Sequence, residues 1–223
     1  KEEQSRPAGF KQDMKQAAKR GKGALFEMKL LEAASRKRVW IADTVKDAVL
    51  EDGQKVVVFT GRRKDAEALA KLIKTRLKDK APMWWGHGGV STKERDEMVE
   101  AYAATEVGCA FVGTTDAFGE AVDGLQNTDL AVFGLLPWTP GMVTQAEGRF
   151  SRHGSQRSVH IMYTVAEGTV DEHVADTLLD KLEQVVNTID DPTAVGIADT
   201  LGSTEDADAI IQSVFDLFGG SDE

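Results

Sequence analysis

The sequence predicts an α/β fold in which a parallel sheet is covered by helices on both faces, with helical extensions at both ends. Short apolar runs suited to buried strands alternate with amphipathic segments at helical spacing, which indicates strand–helix–strand units. Lys55–Thr60 is one such run. In the segment that follows, residues 64–79, apolar side chains recur on one face and basic side chains on the other.

The other elements follow from the same two patterns. Strands are expected at 82–86, 107–112, 130–135 and 158–165, and helices at 24–34, 36–51, 91–103, 140–151 and 169–189. Trp84 and Trp85 lie within a predicted strand, where core packing is favoured over base stacking. In sheets of this kind ligands bind beyond the carboxyl ends of the strands, so the turns after the strands are the expected site.

Charge is distributed unevenly along the 223 residues, whose net charge is −10. Residues 1–38 hold 11 Lys/Arg and 5 Asp/Glu, a net of +6, whereas residues 182–223 hold no Lys/Arg and 10 Asp/Glu. A local basic surface facing nucleic acid is therefore compatible with the acidic total. The single cysteine, Cys109, excludes an internal disulfide and fits a reducing compartment, either the cytoplasm or a eukaryotic nucleus.

Three segments are expected along the chain. Residues 1–35 form a basic tether with a lead-in helix, residues 36–190 form the sheet domain, and residues 191–223 form an acidic extension with an amphipathic helix at 203–218. No run is apolar enough to span a membrane, and the four histidines have no metal-ligand spacing. Because the chain begins at Lys1, we expect it to be a fragment or a processed piece.

Two arginines three positions apart, Arg149 and Arg152, are the strongest candidates for chemistry. On a helix these positions share a face, so both guanidinium groups can reach one target. A planar, permanently charged fork suits phosphate, and two of them suggest the arginine fingers of a nucleotide hydrolase. The alternative is a solvated helix face. The chain has no G-x-x-x-x-G-K-[ST] loop, so it resembles one half of a two-lobed motor.

The order of the motifs resembles the second RecA-like lobe of superfamily-two DNA translocases of the Swi/Snf type. Within that branch it is most similar to HARP-like annealing helicases and related phage or bacterial proteins. The matching segments are Gly61-Arg62 and residues 87–91, 114–123, 137–140, 145–154 and 167–172. Five positions depart from the family pattern. Gly148, Ser151 and Ser155 replace its aspartate, histidine and glutamine, and Asp116 and Glu120 replace its usual basic or apolar residues.

This resemblance implies a role for each matching residue. Arg149 and Arg152 would reach the γ-phosphate of ATP, which with Mg²⁺ is held mainly by an N-terminal lobe. Gln145 would position their helix, while Gly119 and Asp123 would approach the sugar of the nucleotide. DNA phosphates would be contacted, without reading of sequence, by backbone N–H, hydroxyl and cationic groups of Thr60, Gly61, Arg62, His87, Gly88, Gly89, Thr114 and Thr115.

The expected function is therefore that of the second lobe of an ATP-dependent DNA translocase, used for DNA remodelling or strand annealing. Two alternatives remain open. One is a strand-separating helicase of the same superfamily. The other is a lone RecA-like lobe without enzymatic activity, which binds DNA or docks another protein.

Overall fold

The computed structural model describes residues 22–118, 124–136, 150 and 159–189, without the side chains of residues 22, 23, 25, 27 and 181–189. No helix within these ranges is long and apolar enough to cross a membrane. The elements are α1 (Lys22–Leu50), β1 (Lys55–Thr60), α2 (Arg63–Leu77), β2 (Met83–Gly86), α3 (Thr92–Ala104), β3 (Cys109–Thr114), α4 (Thr115–Phe118), β4 (Leu130–Phe133), β5 (His160–Tyr163) and α5 (Val170–Ile189).

The five strands form one sheet in the order β2-β3-β1-β4-β5, and every pair of neighbours is parallel. β1 lies at the centre and is buried along its whole length, as its run of valines predicts. Thr60 of β1 lies beside Thr114 of β3, so the two strands end at the same level. The predicted parallel α/β sheet is confirmed.

The described residues form two compact units. The sheet unit lies within Lys37–Leu135 and Gln145–Thr164, and the helical unit lies within Lys1–Arg36, Leu136–Thr144 and Val165–Glu223. In the helical unit, α5 begins as the sequence predicts. The Thr169 hydroxyl oxygen accepts from the Asp171 backbone N–H at 3.2 Å, and the Asp171 carboxylate accepts from the Ala166 N–H at 3.1 Å.

Helices cover both faces of the sheet unit. On one face, α2 and the second half of α1 bury an aliphatic cluster against β1, β3 and β4. On the other face, α3 and α4 bury a more aromatic cluster that includes Tyr102, Phe111 and Phe118. The amphipathic pattern predicted for α2 is confirmed, because its buried apolar side chains are Ala66, Leu69, Ala70, Ile73 and Leu77.

Several boundaries differ from the sequence-based expectation. The helices expected at 24–34 and 36–51 form a single helix of 29 residues, α1, because the buried positions continue through Ala33, Lys37 and Ile41 without a helix breaker. β3 begins at Cys109 rather than at residue 107, since Val107 is exposed and Gly108 abuts the backbone of Val49 and Gly53. The helices expected at 140–151 and 203–218 lie outside the described residues, apart from residue 150.

The buried thiol of Cys109 provides a direct test of the β3 position. Burial raises the pKa of this thiol to about 11 from an ordinary value of 9.0, with a weaker opposing effect from Lys55. At pH 8 the thiolate fraction should therefore be roughly 100-fold below that of an exposed cysteine. We expect slow labelling by a thiol reagent in the native chain and fast labelling in urea. Equal rates would contradict the burial of Cys109, which is the only cysteine.

Candidate nucleic-acid interface

The carboxyl ends of β1, β2 and β3 meet at one edge of the sheet because the three strands are neighbours and parallel. Gly86 of β2 lies beside Gly113 of β3, just as Thr60 lies beside Thr114. The three turns that the sequence singles out follow these strand ends. The structure thus brings together Thr60, Gly61, Arg62, His87, Gly88, Gly89, Thr114 and Thr115.

The turn after β1 presents a cluster of exposed cations. Arg62 is the extended N-cap residue of α2, and its side chain makes no capping hydrogen bond. Arg62, Arg63 and Lys64 are all exposed, and they surround the positive end of the α2 helix dipole. Asp65, the acid in that first turn, is buried and paired with Arg38 at 2.8 Å. The surface of this turn is therefore suited to anions.

The turn after β2 is held by His87. Its Nδ1 accepts from the Gly89 N–H at 2.9 Å, and its carbonyl accepts from the Val90 N–H at 2.9 Å. The ring is buried and lies 5.7 Å from the Trp85 ring, which leaves the Nε2–H as the remaining donor. His87 thus shapes the turn, while Gly88 and Gly89 are exposed at its surface.

Gly89 makes room for the His87 ring within the β2 turn, and it lies beside Arg63 of the β1 turn. A Cβ at this position would lie 2.8 Å from Cε1 of His87, and Arg63 Nη1 would lie 3.8 Å from it. The Arg63 guanidinium therefore reaches from the β1 turn to the β2 turn. Sequence reasoning selected Arg62 and missed Arg63. The signal was present in the run Gly61-Arg62-Arg63-Lys64, where four consecutive residues combine a turn glycine with three cations.

The turn after β3 is bonded to the end of β1. The Thr115 hydroxyl donates to the Thr60 carbonyl at 3.2 Å. The Thr60 hydroxyl is itself buried and donates to the Arg62 carbonyl at 3.5 Å, and Thr114 is also buried. The structure therefore places the Thr60 and Thr114 side chains below the surface, whereas Thr115 is half-buried.

The short helix α4 is anchored on this edge by Phe118, which is fully buried. A Cβ at Gly86 would lie 2.6 Å from Phe118, and one at Gly113 would lie 2.8 Å from it, so the paired glycines make room for the ring. Arg95 of α3 also donates from Nη1 to the Ala117 carbonyl at 3.0 Å. Sequence reasoning missed this anchor, although glycine inside two neighbouring strands indicates a close approach.

A further acid, Glu67, lies near the cations of the β1 turn. The pKa of Glu67, one turn into α2, is lowered by its hydrogen bond to Lys71 and further by the charges of Lys71, Arg63 and His87. Its carboxylate stays ionised at neutral pH and is paired with Lys71 at 2.8 Å. Arg62, Arg63 and Lys64 are the exposed cations at the β1 turn.

The residues expected at the nucleotide lie outside the described part of the chain: Gln145, Arg149, Arg152, Gly119 and Asp123. Phe150, which stands between the two arginines in sequence, is described. It is buried in the aromatic cluster of the sheet unit, with its ring centre 6.2 Å from that of Phe59. Phe150 is thus packed on the face of the central strand.

Comparisons with known proteins agree with this geometry. The family described as the helicase conserved C-terminal domain matches residues 40–154. The chain is 33 % identical over 96 residues to the "SWI/SNF-related matrix-associated actin-dependent regulator of chromatin subfamily A-like protein 1" of Xenopus tropicalis, covering 43 % of this chain and 10 % of that protein. It is 29 % identical over 150 residues to the "Uncharacterized ATP-dependent helicase YqhH" of Bacillus subtilis, covering 66 % and 26 %.

A solved structure shows the same fold. The C-terminal part of the Fun30 ATPase domain superimposes with a TM-score of 0.57 at 13 % identity, over 79 % of this chain and 53 % of that one. The chain spans only 10 % to 26 % of the length of the curated relatives named above. The chain therefore belongs to the helicase conserved C-terminal domain family, with a RecA-like fold and with similarity to Swi/Snf-type relatives.

Proposed function

We propose that the chain is the DNA-binding second lobe of an ATP-driven DNA translocase. One observation carries this proposal. The turns after β1, β2 and β3, which contain glycines or hydroxyl side chains, lie at one edge of the sheet next to the exposed Arg62 and Arg63. A relative named as an ATP-dependent helicase, of which the chain matches 26 %, supports coupling to ATP. DNA remodelling or strand annealing is the activity that we propose for the whole protein.

In this proposal DNA phosphates lie across the turns after β1, β2 and β3. Gly61 and Gly88 let the backbone approach the phosphates, and Arg62 and Arg63 neutralise them, while the Gly89 N–H is held by His87 within the turn. Burial of Thr60 and Thr114 changes the role first expected of their hydroxyls, which support the turns instead of touching DNA. None of these groups reads a base edge, so binding is independent of sequence.

The nucleotide side of the proposal rests on Arg149 and Arg152. ATP with Mg²⁺ would be held mainly by an N-terminal lobe, and the two arginines would contact its γ-phosphate from this lobe. Gln145 would position their helix, and Gly119 and Asp123 would lie near the sugar. Among the described residues no group of three His, Cys, Asp or Glu side chains is arranged to hold a metal ion. Phe150, which stands between the two arginines in sequence, is buried in the sheet unit.

Duplex DNA binding tests the interface. We expect the double variant Arg62→Ala/Arg63→Ala to weaken binding roughly 10-fold at low salt, because two phosphate contacts are lost. The slope of log K against log salt should become shallower by about 1.8, at about 0.9 per contact. Fluorescence anisotropy with a labelled duplex and the full chain measures both quantities.

The matched control is Arg76→Ala. Arg76 also belongs to α2, but it pairs with Asp43 at the opposite end of that helix from Arg62 and Arg63. This variant should retain the salt slope of the unmodified chain. If the double variant also retained that slope, DNA would not lie across the β1 and β2 turns.

A docking lobe without enzymatic activity is the second candidate. The sequence lacks a P-loop, which favours this candidate for the chain acting alone. Under it, ATP hydrolysis would be absent whichever lobe was supplied, while DNA binding at the edge of the sheet could persist.

A further inference from the structure

We propose that a groove between α2 and β2 binds an unpaired stretch of DNA strand; the proposal rests on the function proposed above, which brings DNA to the neighbouring edge. The groove has a volume of about 530 Å³, within the range of small-molecule sites. Its lining residues are Ala70, Lys71, Lys74, Leu77, Asp79, Lys80, Ala81, Pro82, Met83 and Trp85.

Trp85 is the aromatic wall of this groove. Side chains alternate along a strand, so Met83 and Trp85 face α2 while Trp84 faces α3. Trp84 packs edge-on against Tyr102, with ring centres 6.2 Å apart. Trp85 instead stays 37 % exposed. Core packing was expected for both tryptophans. Trp84 packs in this way, whereas the Trp85 ring is partly exposed to solvent in the groove.

The groove is continuous with the interface already described. The ring of Trp85 lies 5.7 Å from that of His87, whose turn is part of the proposed phosphate contact. A strand that leaves the β2 turn would pass over Trp85 and then along α2. Continuity of this kind favours the same DNA as the occupant over an unrelated ligand.

The chemistry of the lining suits a nucleotide strand. Lys71 and Lys74 are one helical turn apart, and both are exposed on the rim, with Lys80 also exposed. Lysines that follow a backbone and an aromatic ring that stacks a base are the two features of single-strand binding sites. An acidic peptide would pair with the lysines but would leave the exposed indole without a flat partner. Asp79 is the one acid in the lining.

The direct test is the binding of an oligothymidine of about 12 nucleotides to the full chain, followed by fluorescence anisotropy. We expect Trp85→Ala to weaken binding roughly 5- to 100-fold, because one stacked base is lost. Trp85→Phe, which keeps a ring, should retain most of the affinity. The matched control is Trp40→Ala, since Trp40 is a 53 % exposed tryptophan of α1 outside the groove.

A second variant tests the phosphate contacts. Lys74→Gln should make the salt dependence of oligothymidine binding shallower by about 0.7, the value for one contact with a single strand. Duplex binding should be unchanged by Trp85→Ala and weakened by Arg62→Ala/Arg63→Ala. Duplex binding that is unchanged in Arg62→Ala/Arg63→Ala would contradict the edge interface. The groove would still be supported if Trp85→Ala weakened the binding of oligothymidine.

Two outcomes would overturn the groove proposal. The first is oligothymidine affinity that is equal in Trp85→Ala and in the unmodified chain. The second is a combination of three results. A glutamate-rich peptide displaces the oligonucleotide, binding of that peptide requires Trp85, and an abasic oligonucleotide binds as well as oligothymidine. That result would assign the groove to an acidic protein partner.

Discussion

Replacement of Arg149 by alanine is expected to lower DNA-stimulated ATP hydrolysis roughly 10³- to 10⁵-fold, the scale on which arginine fingers act. The reaction is phosphoryl transfer, in which the protein mainly positions groups and neutralises charge. Arg152, which shares a helix face with Arg149 in the predicted arrangement, should show a loss of the same kind. Substrate DNA binding should be retained, because both arginines act on the nucleotide side.

The assay compares this chain alone with this chain mixed with the P-loop lobe that we propose as its partner, each with and without DNA. Arg149→Lys keeps the charge but loses the bidentate fork, so it should recover only a small part of the rate. Arg76→Ala is the control, since Arg76 is half-buried and pairs with Asp43 of α1, at the end of α2 away from the carboxyl ends of the strands. Unchanged hydrolysis in Arg149→Ala and Arg152→Ala would remove the finger assignment.

The other outcomes separate the two candidate functions. Hydrolysis only in the mixture would support a composite site completed by Arg149 and Arg152. Hydrolysis in neither sample would favour the docking lobe. Hydrolysis by the chain alone would require a nucleotide cradle within these 223 residues, contrary to the proposed division of labour between two lobes.

Local pattern was sufficient to predict the type of each described strand and of every described helix except α4. It predicted the type of each element because burial and periodicity are properties of neighbouring residues, whereas boundaries such as the start of β3 differ. It did not predict the sheet order β2-β3-β1-β4-β5, which depends on contacts between distant residues. It also missed α4, a four-residue helix held by Phe118 against Gly86 and Gly113.

The site was predicted in position and less well in detail. Turns after parallel strands must share an edge, so the convergence of Gly61, His87 and Thr115 followed from topology. Whether a polar side chain at that edge faces solvent is decided by packing. Thr60 is fully buried at the end of the predicted buried strand, although its hydroxyl was expected to reach DNA. The role of Arg63 likewise depends on the approach of Gly89 from another turn.

Lys55 is the residue at which sequence reasoning and structure differ most in energetic consequence. It was expected only to begin β1, and lysine is rarely buried. In the structure it is 4 % exposed, and its Nζ donates to the carbonyls of Tyr102 and Thr105, each at 2.8 Å, and of Ala103 at 3.2 Å. The three N–H donors of the ammonium meet three carbonyl acceptors at the carboxyl end of α3. A cation there also interacts favourably with the negative end of the helix dipole.

We expect Lys55→Met to lower the free energy of unfolding by about 3 kcal/mol, which is roughly a 100-fold change in the folding equilibrium. Methionine fills much of the same volume, so the loss reports polar contacts more than a cavity. The Nζ also lies 4.6 Å from the centre of the Tyr102 ring, and this cation–π contact is lost together with the hydrogen bonds. Urea unfolding followed by circular dichroism measures the change.

Lys71→Met is the matched control for this change. The Lys71 side chain is 74 % exposed, and it pairs with Glu67 at the surface of α2. Its loss should be below about 1 kcal/mol. Equal losses in the two variants would mean that the Lys55 ammonium stabilises the fold no more than a surface charge does. A large loss in Lys55→Met alone would show that the buried ammonium holds the end of α3 against β1.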